Sequence, residues 1–165
     1  MFDIFFGKSK VKQELFYELI KIDEDENLYK AMIQKGPIDV EELSKYENIV
    51  SLDCSDCGLT ELPRDLDRLK NLKKLNCSQN QLKTLPDNLD QLEVLDCSLN
   101  ELKTIPDTYK QLISLKCSSN KIETLPNNLD QLKELDCNFN HLKSLPNTFN
   151  RLMILECCDN QFLIH

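Results

Sequence analysis

The chain is 165 residues long, with 41% hydrophobic and 29% charged residues, a size and balance that suit one domain with a continuous core. Twenty-eight acids against twenty bases give a formal charge of −8, and such a surface repels nucleic acid and anionic membranes while favouring basic protein partners. Three glycines in all leave no material for a glycine-rich phosphate loop.

The opening MFDIFFGKSK is an apolar run broken by Asp3, with no basic region before it, too short for a secretory signal or a membrane span. A soluble cytoplasmic protein is the expectation; export by a route that needs no cleavable signal is the alternative. Ser9 caps a predicted helix from about Lys10 to Ile22, with Val11, Leu15, Phe16, Leu19 and Ile22 on one side. Phe2, Phe5 and Phe6 are expected to pack against it. The acidic run Asp23 to Glu26 opens a second predicted helix through Lys35, since acids favour the positive N-terminal end, and Gly36 and Pro37 stop it. Asp39 caps a third, short one through Tyr46. Residues 1–48 are thus predicted to form a helical cap, and residues 49–165 form the remainder of the domain.

That remainder repeats itself. LDCSDCGLTELP begins at Leu52, LNCSQNQLKTLP at Leu75, LDCSLNELKTIP at Leu95, LKCSSNKIETLP at Leu115, LDCNFNHLKSLP at Leu135 and LECCDNQFLIH at Leu155. The spacing is 23 residues once and then 20 residues four times. A fixed period of this length marks a solenoid. Within each unit a leucine and a cysteine two residues apart put one strand face into a core and leave the residue between them in solvent. Strands are expected near 51–54, 74–77, 94–97, 114–117, 134–137 and 154–157. Proline at 86, 106, 126 and 146 keeps the residue before it extended. The return leg, with apolar residues every third position as in Leu89, Leu92 and Leu95, suits a 3-10 turn.

The pattern L-x-x-L-x-C-x-x-N-x-L-x-x-L-P resembles the leucine-rich repeat family, and six copies in register cover the chain from about Ile49 onward. The resemblance implies an α/β solenoid with one short strand per repeat, curved so that a parallel sheet lines the concave face. The 20-residue period with Leu-Pro closing most units is similar to the short bacterial type, found in some secreted effectors and in cytosolic bacterial proteins. It also implies that Asn80, Asn100, Asn120, Asn140 and Asn160 satisfy backbone groups of their own turn and of the next repeat.

Eight cysteines suggest a disulfide scaffold or a metal site, but the register assigns six of them to one inward position: Cys54, Cys77, Cys97, Cys117, Cys137 and Cys157. Cys57 takes the slot held elsewhere by asparagine, and Cys158 falls on the outward side of its strand. Cys54 and Cys57 spell C-x-x-C without a second pair, and the only histidines are His141 and His165. A zinc or thiol-redox protein is therefore the weaker reading. No cofactor and no metal are expected, and no catalytic constellation is present.

The function expected is a non-catalytic protein-binding module using the concave face. Asp53, Asn76, Asp96, Lys116, Asp136 and Glu156 each stand between an inward leucine and cysteine, an acidic lane whose ends lie roughly 24 Å apart at strand spacing. Val94 and Ile154 precede the inward leucine, and Leu99 and Phe139 follow the cysteine where other repeats have polar residues. These ten are the predicted contacts, Phe139 first among them, for a basic protein partner. A toxin-neutralising immunity protein and a delivered effector gripping a host protein are the specific alternatives. Only Leu163, Ile164 and His165 follow Phe162, so the last repeat is expected to leave its edge to a partner or to a weak homodimer.

Overall fold

A computed structural model describes residues 4–8, 16–23, 28–35, 38–45 and 48–162. They build one nine-stranded sheet whose strands lie side by side in chain order. The strands are β1 (Ile4–Lys8), β2 (Phe16–Asp23), β3 (Leu28–Lys35), β4 (Ile49–Asp53), β5 (Lys74–Asn76), β6 (Val94–Asp96), β7 (Ser114–Lys116), β8 (Glu134–Asp136) and β9 (Ile154–Glu156). β1, β2 and β3 pair antiparallel; β3 on β4 and each later pair are parallel.

The N-terminal segment departs from the helical cap expected of it. In place of the first two helices, Phe16–Asp23 and Leu28–Lys35 form an antiparallel pair, and β3 continues into the solenoid sheet. FYELIKID is half aromatic and β-branched residues, which fit a pleated surface, and LYKAMIQK adds Tyr29 and Ile33. The first strand of the solenoid also presents unpaired backbone groups along its edge, and another strand satisfies them as a helix cannot. Tertiary pairing overrides the helical spacing. Ser9, Val11, Leu15, Gly36, Pro37 and Tyr46, on which the expected helix ends and faces rested, lie outside the described residues, as does Phe2; Phe5 and Phe6 fall in β1. The third helix is present but short: α1 (Val40–Leu43) buries Val40 and Leu43, and Asp39 accepts a hydrogen bond from the Glu42 amide at 2.9 Å.

The repeats stack in the register that their sequence demands. Leu52, Leu75, Leu95, Leu115, Leu135 and Leu155 are partners across successive strands. From Leu52 to Leu135 they are no more than 1% exposed, and the cysteine column from Cys54 to Cys137 is fully buried. Leu82, Leu102, Ile122 and Leu142 close the core opposite the sheet, with Leu62, Leu85, Ile105 and Leu125 at the Leu-Pro corners. The return legs make the expected tight turns, the Leu92 amide donating to Leu89 at 3.2 Å and the Leu132 amide to Leu129 at 3.1 Å. The 23-residue unit uses its additional length for a full 3-10 turn, Leu66–Arg68.

The asparagines work as a ladder, in the direction opposite to that expected. Asn120 Oδ1 accepts from the Leu102 amide of the preceding repeat at 2.9 Å. Its Nδ2 donates to the Cys97 carbonyl of that repeat at 3.0 Å and to its own Cys117 carbonyl at 3.1 Å. Asn80, Asn100, Asn140 and Asn160 repeat the pattern, each reaching back one unit.

At the far end β9 pairs only with β8 among the described residues. Leu155 is 43% exposed, and Leu152, Cys157 and Phe162 are half-buried. Residues 163–165, which carry the expected tail, lie outside the described residues.

Candidate protein-binding face

The lane of residues between the inward leucine and cysteine is where the sequence places a binding surface. The structure gives most of this lane a second task. Asp53 Oδ1 accepts from the Ser55 amide at 3.2 Å and its hydroxyl at 2.8 Å; Asn76 Oδ1 does the same for Ser78 at 3.1 and 2.8 Å. Asp96 and Asp136 accept from the amides of Ser98 and Asn138, each at 3.1 Å. These are Asx turns that close the strand exit, so a short side chain with a carbonyl oxygen is required there whatever the surface does. All four are half-buried. The acidic lane is to that extent a capping device.

The lane is also less negative than its sequence. Lys30, contributed by β3, ion-pairs with Asp53 at 3.2 Å. Burial pushes the Asp53 carboxyl up, but the hydrogen bonds from Ser55 and the Lys30 ammonium outweigh it and hold it below the usual carboxylate range. Lys116, exposed, lies in register between Asp96 and Asp136. The other exposed member is Glu156, which accepts from the Asn138 amide group at 3.1 Å. Lys30, Lys74 and Lys116, with Asp53, Asp96 and Asn76, surround a shallow hollow of about 210 Å³ on this half of the sheet. The acids Glu134, Asp136 and Glu156 lie on the other half.

One residue per repeat has a left-handed backbone: Asp56, Gln79, Leu99, Ser119, Phe139 and Asp159, with φ between 52° and 56°. None of the six is glycine, so each meets the crowding that an L side chain's β-carbon suffers in this region; aspartate, at two of them, offsets part of it by local hydrogen bonding, which leucine and phenylalanine cannot do. Leu99 and Phe139 are also 53% and 58% exposed. Two large apolar side chains therefore stand in solvent on strained backbone, two repeats apart on one side of the sheet. Val94 is half-buried on the sheet, and Ile154 is 52% exposed at its end beside Met153 at 80%.

Sequence reasoning missed three features. The Asx turns are legible only once the chain direction after each strand is known. Lys30 came from a segment expected to be helical. The left-handed position had a signal, the Asp and Ser found at it in other repeats, that single-repeat reading does not expose.

The cysteine column behaves as core. Burial pushes the thiols of Cys54, Cys97 and Cys117 well above their ordinary value, and their neighbours in the column add to the effect; Cys137 is pushed up to about 12. A protonated thiol is a poor nucleophile and metal ligand. Cys57 is half-buried, its thiol donating to the carbonyls of Ile33 and Ser55 at 3.2 and 3.3 Å, and Cys158 is exposed. Among the described residues no group of three or more His, Cys, Asp or Glu is disposed to hold a metal, and no helix there is long and apolar enough to cross a membrane. A larger hollow of about 700 Å³ opens at the corner formed by Leu62, Pro63, Leu85 and Pro86 under Ile38; no predicted site residue lines it.

A sequence model of the family described as Leucine Rich Repeat matches residues 71–92 and 131–152. A solved leucine-rich repeat protein of Leptospira interrogans is 31% identical over 76% of this chain, with a TM-score of 0.69. This chain is a leucine-rich repeat protein. The functional domain of InlJ from Listeria monocytogenes, whose structure includes a cysteine ladder, is 32% identical over 78% of the chain at the same TM-score. YopM from Yersinia enterocolitica is 32% identical over 68%, with a TM-score of 0.60. The chain spans 35%, 29% and 25% of the length of these three structures, respectively. A comparison with curated proteins finds no match. Leucine-rich repeat folds commonly serve as protein-interaction modules and are typically non-catalytic.

Proposed function

We propose that the chain is a non-catalytic module that grips a basic protein partner on its concave face. The observation that carries this reading is the pair Leu99 and Phe139: large, exposed and apolar, on backbone that disfavours them. Exposed aromatic and aliphatic anchors amid polar residues have the composition of an interface centre. The formal charge of −8 steers a basic partner toward it, and the turns at Asp96 and Asp136 engage only one carboxylate oxygen of each, Oδ1. The same charge disfavours nucleic acid and anionic membrane surfaces. Eight free thiols suit a reducing compartment such as the cytoplasm.

The test is a comparison of baits. Native protein, Phe139→Asp and a second-site control, Lys103→Glu, are immobilised and challenged with lysate of the source organism and, separately, with lysate of host cells. Capture of one basic protein by the native and control baits but not by Phe139→Asp supports the reading. Its identity separates an immunity protein, whose partner is a toxin, from an effector, whose partner is a host protein. Equal capture by all three removes the site from the concave face.

A second contact surface is favoured by Met153, Ile154 and Leu155, exposed together at the β9 edge. Weak pairing of two copies through this edge predicts a mass that rises with concentration in light scattering and stays monomeric in Ile154→Lys.

A further inference from the structure

Leu99, Lys116 and Phe139 are three departures from the chain's own repeat pattern, and they are neighbours. At the outward strand position, Asp or Asn closes the following turn in four repeats. Lys116 carries no carbonyl oxygen and leaves the Ser118 amide without that acceptor. It is exposed and, although flanked in register by Asp96 and Asp136, forms no ion pair with either. It borders the hollow shared with Lys30, Lys74 and Asp96. Leu99 lies on the repeat before it and Phe139 on the repeat after it, two strand spacings or about 9.6 Å apart. Between them the left-handed position holds only Ser119, small and half-buried. By register this outlines a notch: Leu99 and Phe139 flank the small Ser119, and Lys116 stands on the strand that leads into it.

We infer that this notch is the specificity-determining centre of the binding face, and that it receives a carboxylate side chain flanked by basic and apolar residues of the partner. This deepens the concave-face reading and rests on it. Along β6, β7 and β8 the lane reads negative, positive, negative, from Asp96, Lys116 and Asp136. A partner that complements it presents basic, acidic, basic. A uniformly basic segment would place a like charge against Lys116 and be rejected there. The apolar walls exclude water around the central pair, the condition under which such a pair contributes to affinity.

The experiment selects random peptides displayed on phage against the full chain, then measures the enriched peptides on variants. Expected peptides carry one Asp or Glu between Lys or Arg residues, with a large apolar residue nearby. Lys116→Asn and Phe139→Asn each weaken them at least about tenfold, while Lys116→Arg binds as native. Lys116→Glu loses the native peptide and regains binding when the peptide acid is changed to lysine. Both asparagine variants melt no lower than about the native protein, since asparagine suits both backbone sites.

Purely basic peptides that bind Lys116→Asn as tightly as native yet lose Phe139→Asn would overturn the notch and leave the concave face standing. Peptides indifferent to all variants would overturn both. An absence of enrichment, or a failed charge swap, also counts against the notch.

Discussion

Asn100 and Asn120 share an acceptor, and that sharing predicts how the stack fails. The Cys97 carbonyl receives the Asn100 amide at 3.1 Å and the Asn120 amide at 3.0 Å, so either alone keeps it satisfied. The sole acceptor for the Leu82 amide is Asn100 Oδ1, and for the Leu102 amide Asn120 Oδ1, both at 2.9 Å. Asn100→Ala thus strands one buried donor, and Asn120→Ala one more, at about 1–3 kcal/mol each. Counting all four bonds of Asn120 would overstate the loss, because the Cys117 carbonyl keeps Asn140 at 3.0 Å and the Ser118 carbonyl keeps the Leu99 amide at 2.9 Å. In the double variant the Cys97 carbonyl, on a fully buried residue, loses both donors. The double loss should exceed the sum of the singles by about another 1–3 kcal/mol. Urea denaturation followed by circular dichroism on the four proteins of the cycle measures this excess. Asn80 and Asn120 share no acceptor, so their cycle is the control and should close to within about 0.5 kcal/mol. An Asn100–Asn120 cycle as additive as the control would refute the shared-acceptor reasoning.

Other outcomes follow from burial and charge. Leu115→Ala removes a fully buried column residue and should cost about 2–5 kcal/mol by the same denaturation assay, while Phe139→Asn should stay within about 1 kcal/mol of native. Maleimide labelling with mass spectrometry should mark Cys158 in the native protein and reach Cys77, Cys97 and Cys117 only after unfolding, since these are fully buried thiols with raised proton affinity. Asp53→Asn keeps the turn oxygen and loses the charge opposite Lys30. The native advantage over this variant should be below about 1 kcal/mol. Because the folded carboxyl is held low, that advantage is present above the unfolded value of about 3.9 and fades as pH falls through the folded one. Acid titration of both proteins checks it.

The repeat register, the leucine and cysteine columns and the tight return legs were legible because each is dictated by period-two and period-three spacing that six copies reinforce. The N-terminal segment was not. Its apolar spacing fits a helix locally, and what decides for strands is the sheet edge it has to cover, a demand that no local pattern states. The direction of the asparagine ladder was equally hidden, since sequence separation does not say on which side the next unit lies. The acidic lane was legible as a lane, but its Asp53, Asp96 and Asp136 carry turn closure as well as charge. A carboxylate fixed for a structural reason is weak evidence of a partner's charge, so the apolar anchors and Lys116 bear more of the argument.

Six copies of one unit allow each residue to be judged against its equivalents, and the departures divide into two kinds. Some are compensated where they occur. Tyr109 stands where other repeats have Leu89 and Leu129, fully buried, and its hydroxyl donates to the Pro86 carbonyl. Cys57 occupies an asparagine slot and ties the first repeat to β3 through the Ile33 carbonyl. Those substitutions repair the stack locally. Leu99 and Phe139 instead keep strained backbone and exposed apolar surface, and Lys116 gives up a turn cap without gaining an ion pair. Among the described residues no side-chain hydrogen bond or ion pair offsets these three, and they fall on three successive repeats of the sheet. The other repeats place Asp, Gln or Ser at the left-handed position and Asp, Asn or Glu at the outward one; what remains to account for Leu99, Phe139 and Lys116 is contact with something outside the chain.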